Sequence, residues 1–101
     1  MRLEIQSALD EVVAAIVSGW RPHKVILFGS HAYGEPGPDS DVDLVVVLPT
    51  ENPLETACEI AGRIPHPLPL DILVRTPEQI ADPKDLISWL AQHKGMLLYA
   101  A

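Results

Sequence analysis

Apolar residues recur along the chain with two periods, and the switches between those periods mark out the elements. Leu3, Leu9, Val12, Val13, Ile16 and Val17 fall at helical spacing, so residues 2–18 are predicted to form an amphipathic helix with Gly19 as its stop. Lys24 to Phe28 is a short, almost wholly apolar run and predicts a strand. Gly29 to Ser40 carries three Gly and two Pro and predicts a loop, with a short helical turn opening on Ser30 as N-cap. Asp41 to Leu48 predicts a second strand, ended by Pro49. Asn52-Pro53 supplies a cap followed by a first-position proline, so a helix is expected over 53–63. Pro65, Pro67 and Pro69 predict an extended connector into a third strand, Leu70 to Val74. Thr76-Pro77-Glu78 starts a helical turn, and Asp82-Pro83 starts a last helix over 83–93 that stops near Gly95. Met96 to Tyr99 predicts a final short strand.

The predicted order is α-β-β-α-β-α-β. A loop rather than a long crossover joins the first two strands, so they are expected to pair antiparallel, while the third follows a helix and can lie parallel to one of them. The fold class is therefore α/β (α+β): a small mixed β-sheet with helices packed on it. No repeat or linker interrupts the chain, and residues 1–101 are expected to form a single domain.

Composition narrows the function. Of the 101 residues, 48% are hydrophobic and only 5% aromatic, so one modest aliphatic core is expected. Fourteen acidic residues against seven basic ones give a net charge of −7, and Arg2, Arg21, Lys24, Arg63, Arg75, Lys84 and Lys94 are scattered. Direct nucleic-acid binding, which needs clustered cations to release counterions, is not expected. The sole cysteine, Cys58, excludes an intramolecular disulfide and fits a reducing compartment; it is expected to be a small packing residue of its helix. The longest apolar run is the six residues Val12 to Val17, far short of the ~20 needed to span a bilayer. Residues 1–4 do not read as a signal peptide, and the expected location is the cytoplasm.

The chemistry concentrates around the second strand. Asp41 and Asp43 stand two residues apart, so on a strand they point to the same face with Cα atoms about 6.6 Å apart. Two carboxylates held on one face of an otherwise apolar strand repel each other, and a divalent cation resolves that conflict. Ten residues separate Gly29-Ser30, which follows an apolar strand, from Asp41. Gly29 allows close backbone approach to an anion; a helical turn at Ser30 would offer N–H groups, and the Ser30 hydroxyl adds a donor. Asp71 is the only polar residue of the third strand and needs a partner if buried. It either joins Asp41 and Asp43 or forms an ion pair with Arg75 or Arg63. Asp39 and Ser40 read as loop residues, and His31 and Tyr33 as loop packing at least as readily as substrate contacts. His23, His66 and His93 have no zinc-site spacing, and Trp20, Trp89 and Tyr99 suit a core or a partner surface.

The run Phe28-Gly29-Ser30-His31-Ala32-Tyr33-Gly34, then Ser40-Asp41-Val42-Asp43-Leu44, with Asp71 on a later strand and Lys94-Gly95-Met96-Leu97-Leu98-Tyr99 near the end, resembles the minimal nucleotidyltransferase (MNT) branch of the DNA polymerase beta-type nucleotidyltransferase superfamily. The resemblance covers nearly the whole chain. It implies a nucleotidyltransferase-like fold and Mg²⁺-dependent transfer of a nucleoside monophosphate from an NTP to a hydroxyl, with release of pyrophosphate. By matching position, Gly29 and Ser30 would hold the triphosphate, Asp41 and Asp43 would hold two magnesium ions, and Asp71 would complete the catalytic metal site. It further implies ATP as the NTP and a small helical HEPN-type protein as partner. The chain would then act as antitoxin, adenylylating its toxin on tyrosine. The competing expectation is a non-catalytic antitoxin that neutralises its partner by stoichiometric contact. Relatives that modify aminoglycosides carry a further domain, for which this chain leaves no room.

Overall fold

The computed structural model describes residues 3–34, 41–65 and 69–101, with side chains from residue 5 onward except that of Tyr33. The elements are α1 (Leu3–Trp20), β1 (Lys24–Phe28), α2 (Ser30–Tyr33), β2 (Val42–Val47), α3 (Pro53–Arg63), β3 (Leu70–Arg75), α4 (Pro77–Ala81), α5 (Leu86–Lys94) and β4 (Met96–Ala100). One mixed sheet runs in the order β3-β2-β1-β4. β1 pairs antiparallel with β2 and β4, and β2 pairs parallel with β3. The expected class and the antiparallel first pair are both present, and the helical crossover makes β3 parallel to its neighbour.

Several boundaries differ from the sequence reading, each for a local reason. Helix α1 runs through Gly19 and ends at Trp20; Arg21 follows it, with a left-handed φ of 48° and an N–H that donates to Val17 O at 3.0 Å. Arg21 thus occupies the position glycine usually takes after a helix, and Pro22 forbids continuation. Ser30 is not the cap of α2: Gly29 is, and Ser30 is the first helical residue. The last helix begins at Leu86 rather than at Pro83, because Asp82 closes α4 and its carboxylate accepts from Lys84 N–H at 2.9 Å in the turn between the two. Cys58 is exposed rather than packed, since α3 turns Ala57 and Ile60 inward and position 58 outward. The expected caps of α3 and α4 hold: Asn52 accepts from Glu55 N–H, and Thr76 and Gln79 form a capping box.

Strand alternation splits the core into two layers. Val25 and Leu27, Val42, Leu44 and Val46, and Ile72 and Val74 face α1 and α3, where Ile16 and Ile60 are fully buried. Ile26 and Phe28, Val45 and Val47, and Leu73 face α4 and α5, meeting Ile80, Ile87 and Ala91. No described helix is long and apolar enough to cross a membrane.

Candidate active site

The face that carries Val45 and Val47 also carries Asp43, two residues earlier on β2. In the parallel ladder Asp43 is directly opposite Asp71, and paired residues on neighbouring strands share a face about 4.8 Å apart. On its other side Asp43 faces Phe28, the residue before Gly29. One strand end therefore gathers Asp43, Asp71 and the Gly29 turn. Asp41 lies just before β2, exposed, and close enough for its charge to act on Asp43. Asp71 is exposed and Asp43 half-buried.

The ion-pair alternative for Asp71 does not match the pairings seen. Arg75 is bound to Asp85 (Nε to Oδ2, 2.8 Å), and Arg63 lies 3.5 Å from Glu59. Neither cation is paired with Asp71.

Electrostatics concentrate on Asp43. Burial holds its carboxyl above the ordinary carboxylate range; the charges of Asp71 and then Asp41 push it further up, and His31 pulls it down. His31, on α2, thus acts on the central carboxylate, a role distinct from the loop packing or substrate contact that its sequence position suggests. The signal that could have raised it was its place directly after Gly29-Ser30.

Gly29 has a tighter constraint than approach to an anion. Its φ is 77°, and a Cβ there would run into Asp43 Oδ2 and lie 3.2 Å from Asp43 Cγ. Only glycine both adopts this backbone and leaves room for the carboxylate. Ser30 follows, half-exposed, at the start of α2. That helix has four residues, so its anion-binding capacity rests on the first N–H groups and the Ser30 hydroxyl rather than on an extended dipole. Asp39, Ser40 and His66 lie outside the described residues.

Among the described residues, no three His, Cys, Asp or Glu side chains stand arranged to hold a metal ion unaided. The donor set nevertheless fits a hard divalent cation. Carboxylates converge from two strands, and their mutual repulsion, visible at Asp43, would be relieved by a cation that takes its remaining ligands from phosphate and water.

Similarity to known proteins agrees with this geometry. The sequence model of the nucleotidyltransferase domain matches residues 9–94. A solved structure described as "a putative nucleotidyltransferase from Sulfolobus solfataricus" is similar with a TM-score of 0.68 and 18% identity, over 93% of this chain and 78% of that one. At that identity the likeness speaks to the fold alone. No curated protein matches the chain. The match over residues 9–94 spans most of the sequence, all three aspartates included, and by it the chain belongs to the nucleotidyltransferase domain family.

Proposed function

We propose that the protein transfers AMP from ATP to a hydroxyl in a Mg²⁺-dependent reaction, and that the acceptor is a tyrosine of a small helical HEPN-type toxin for which this chain is the antitoxin. The observation that carries the transfer chemistry is the pairing of Asp43 with Asp71 beside Gly29. It gathers carboxylates from separate stretches of chain next to a turn open to phosphate.

Each residue has a defined task. Asp41, Asp43 and Asp71 would hold magnesium, which would neutralise the triphosphate and favour ionisation of the acceptor hydroxyl. The backbone after Gly29 and the Ser30 hydroxyl donate to phosphate oxygens and orient the chain of phosphates. The Asp71 carboxylate, exposed at the rim, takes the proton of the attacking hydroxyl. The acceptor oxygen bonds to the α-phosphorus, the α–β bridging bond breaks, and pyrophosphate leaves. His31 moderates the charge at Asp43.

The test uses labelled ATP, Mg²⁺ and whatever protein copurifies with the chain. Label is expected on a tyrosine of that protein, and Asp43→Asn should lower the rate by orders of magnitude. An unchanged rate would remove this mechanism. If the double variant Asp41→Asn, Asp43→Asn still neutralises the partner in cells, neutralisation works by contact alone and transfer is not its cause.

A further inference from the structure

Among the described residues no strand pairs with the outer edge of β3, and this edge forms the floor of a trough. Four consecutive residues, 72–75, line it from below; Asn52, Leu54 and Ala57 at the start of α3 form one wall, and Gln79 of α4 the other. Its volume is about 310 Å³. Leu54 keeps 75% of its surface in water, an unusual exposure for a leucine at the rim of an apolar groove.

Ladder alternation says which backbone groups the floor presents. Val42 N–H donates to Pro69 O, and Leu48 N–H donates to Arg75 O, at the two ends of an unbroken parallel register. Residues 69, 71, 73 and 75 therefore bond inward to β2, and Leu70, Ile72 and Val74 turn their N–H and C=O groups outward. The Val74 carbonyl confirms this direction, since it accepts from Arg75 Nη1 at 3.0 Å. Among the described residues lining the trough, Arg75 is the one charged side chain, and it is already engaged by Asp85 and Val74. Among the described residues an anionic small molecule finds no free cation there, whereas an extended chain finds the outward N–H groups of Ile72 and Val74, the carbonyls of Leu70 and Ile72, and an apolar wall at its own repeat.

We propose that this trough docks an extended segment of the acceptor protein, which adds as a fifth strand along β3 and carries its hydroxyl to Asp71. The chemistry of the inference rests on the transfer reading above; the docking does not. Alternation fixes the segment's pattern. Its residue opposite Asp71 projects on the carboxylate face, and its residue opposite Val74 projects on the α3 face, towards Leu54 and Ala57. The segment therefore bears an apolar anchor and a hydroxyl residue three positions apart, about 10 Å along the strand. An even separation would put both on one face.

The probe is a set of synthetic peptides, each with one leucine and one tyrosine at separations of one to five residues in an otherwise neutral polar background. Binding is read without nucleotide, by amide shifts and hydrogen exchange at Leu70, Ile72 and Val74. Transfer is read separately with labelled ATP and Mg²⁺. Peptides with odd separation, three best, are expected to slow exchange at Ile72 and Val74 and to accept label. Leu54→Glu and N-methylation of the peptide's edge-facing nitrogens should each weaken binding about tenfold or more. Perturbation confined to β4, no perturbation at millimolar peptide, protection already present through self-association, or labelling indifferent to spacing would each overturn the docking site. Protection without labelling upholds docking while the transfer reading falls; labelling without protection does the reverse.

Discussion

Asp43 occupies a strand position whose neighbours on the same face, Val45 and Val47, are buried against α5. Its charge is therefore held at a cost to the fold, and the sign of that cost can be worked out. The folded carboxyl binds its proton more tightly than the unfolded one, whose ordinary value is 3.8. Its contribution to stability is full below that value and is lost as pH rises through the higher folded value. At neutral pH the ionised Asp43 is a net burden, as expected for a group retained for chemistry rather than for stability. Asp43→Asn should accordingly raise the melting temperature at pH 7, with the gain shrinking as pH falls through the raised folded value and gone below the ordinary value of 3.8. A thermal melt series across that range checks it; an Asn variant less stable at pH 7 would contradict the assigned burial and charge. Under the proposed mechanism the same substitution should improve the fold and remove activity, which would separate it from an ordinary structural defect.

Among the elements, the link from β3 to α5 is anchored by one carboxylate. Asp85 is pushed up by burial, but the Ser88 hydroxyl and the Arg75 guanidinium outweigh this and leave it below the ordinary range. Ser88 itself is fully buried, so its hydroxyl depends on Asp85 for a partner. The pair ties the last residue of β3 to the first turn of α5. Its stabilisation is present above the ordinary carboxylate value and is lost as pH falls through the lowered folded value. Asp85→Ala strands a buried hydroxyl and an arginine together and should cost about 1–3 kcal/mol in denaturant titration at pH 7. At the other end of the chain, Arg21 holds a left-handed backbone that costs a non-glycine residue roughly 1–2 kcal/mol. Arg21→Gly should gain up to about 1 kcal/mol after the extra entropy of an unfolded glycine is subtracted. A melt that shows a loss would mean the Arg21 side chain makes contacts that outweigh the strain.

For the molecule as a whole, the sheet separates two apolar layers, and Asp43 and Asp71 of the candidate site occupy the end of one face. A chain with net charge −7 has concentrated part of its repulsion at the place where a cation would be most useful. Millimolar Mg²⁺ should therefore raise the melting temperature, because an ion that binds only the folded state stabilises it by mass action. The rise should disappear in Asp43→Asn and in Asp71→Asn while persisting in Asp85→Asn. Equal rises in all of these variants would assign the effect to general screening of surface charge.

The sequence alone carried the strands, the two proline-led caps and the motif, because these are written in short-range patterns: alternation, capping residues and the Gly-Ser to Asp-x-Asp spacing. Cap geometry at Gly29 and Arg21 was not legible, since both depend on backbone conformations that residue type only biases. The start of α5 was missed because Asp82 serves as the end of one helix, and only the turn through Lys84 reveals it. The partnership of Asp43 with Asp71 was open in the sequence, with Arg75 and Arg63 as rivals. Tertiary structure decided it by engaging those arginines elsewhere and by setting the β2–β3 register, a long-range pairing that no local spacing encodes. It likewise placed Asp43 Oδ2 over the bare Cα of Gly29. Local patterns reveal which residues can do chemistry; only the closing of the sheet determines which of them meet.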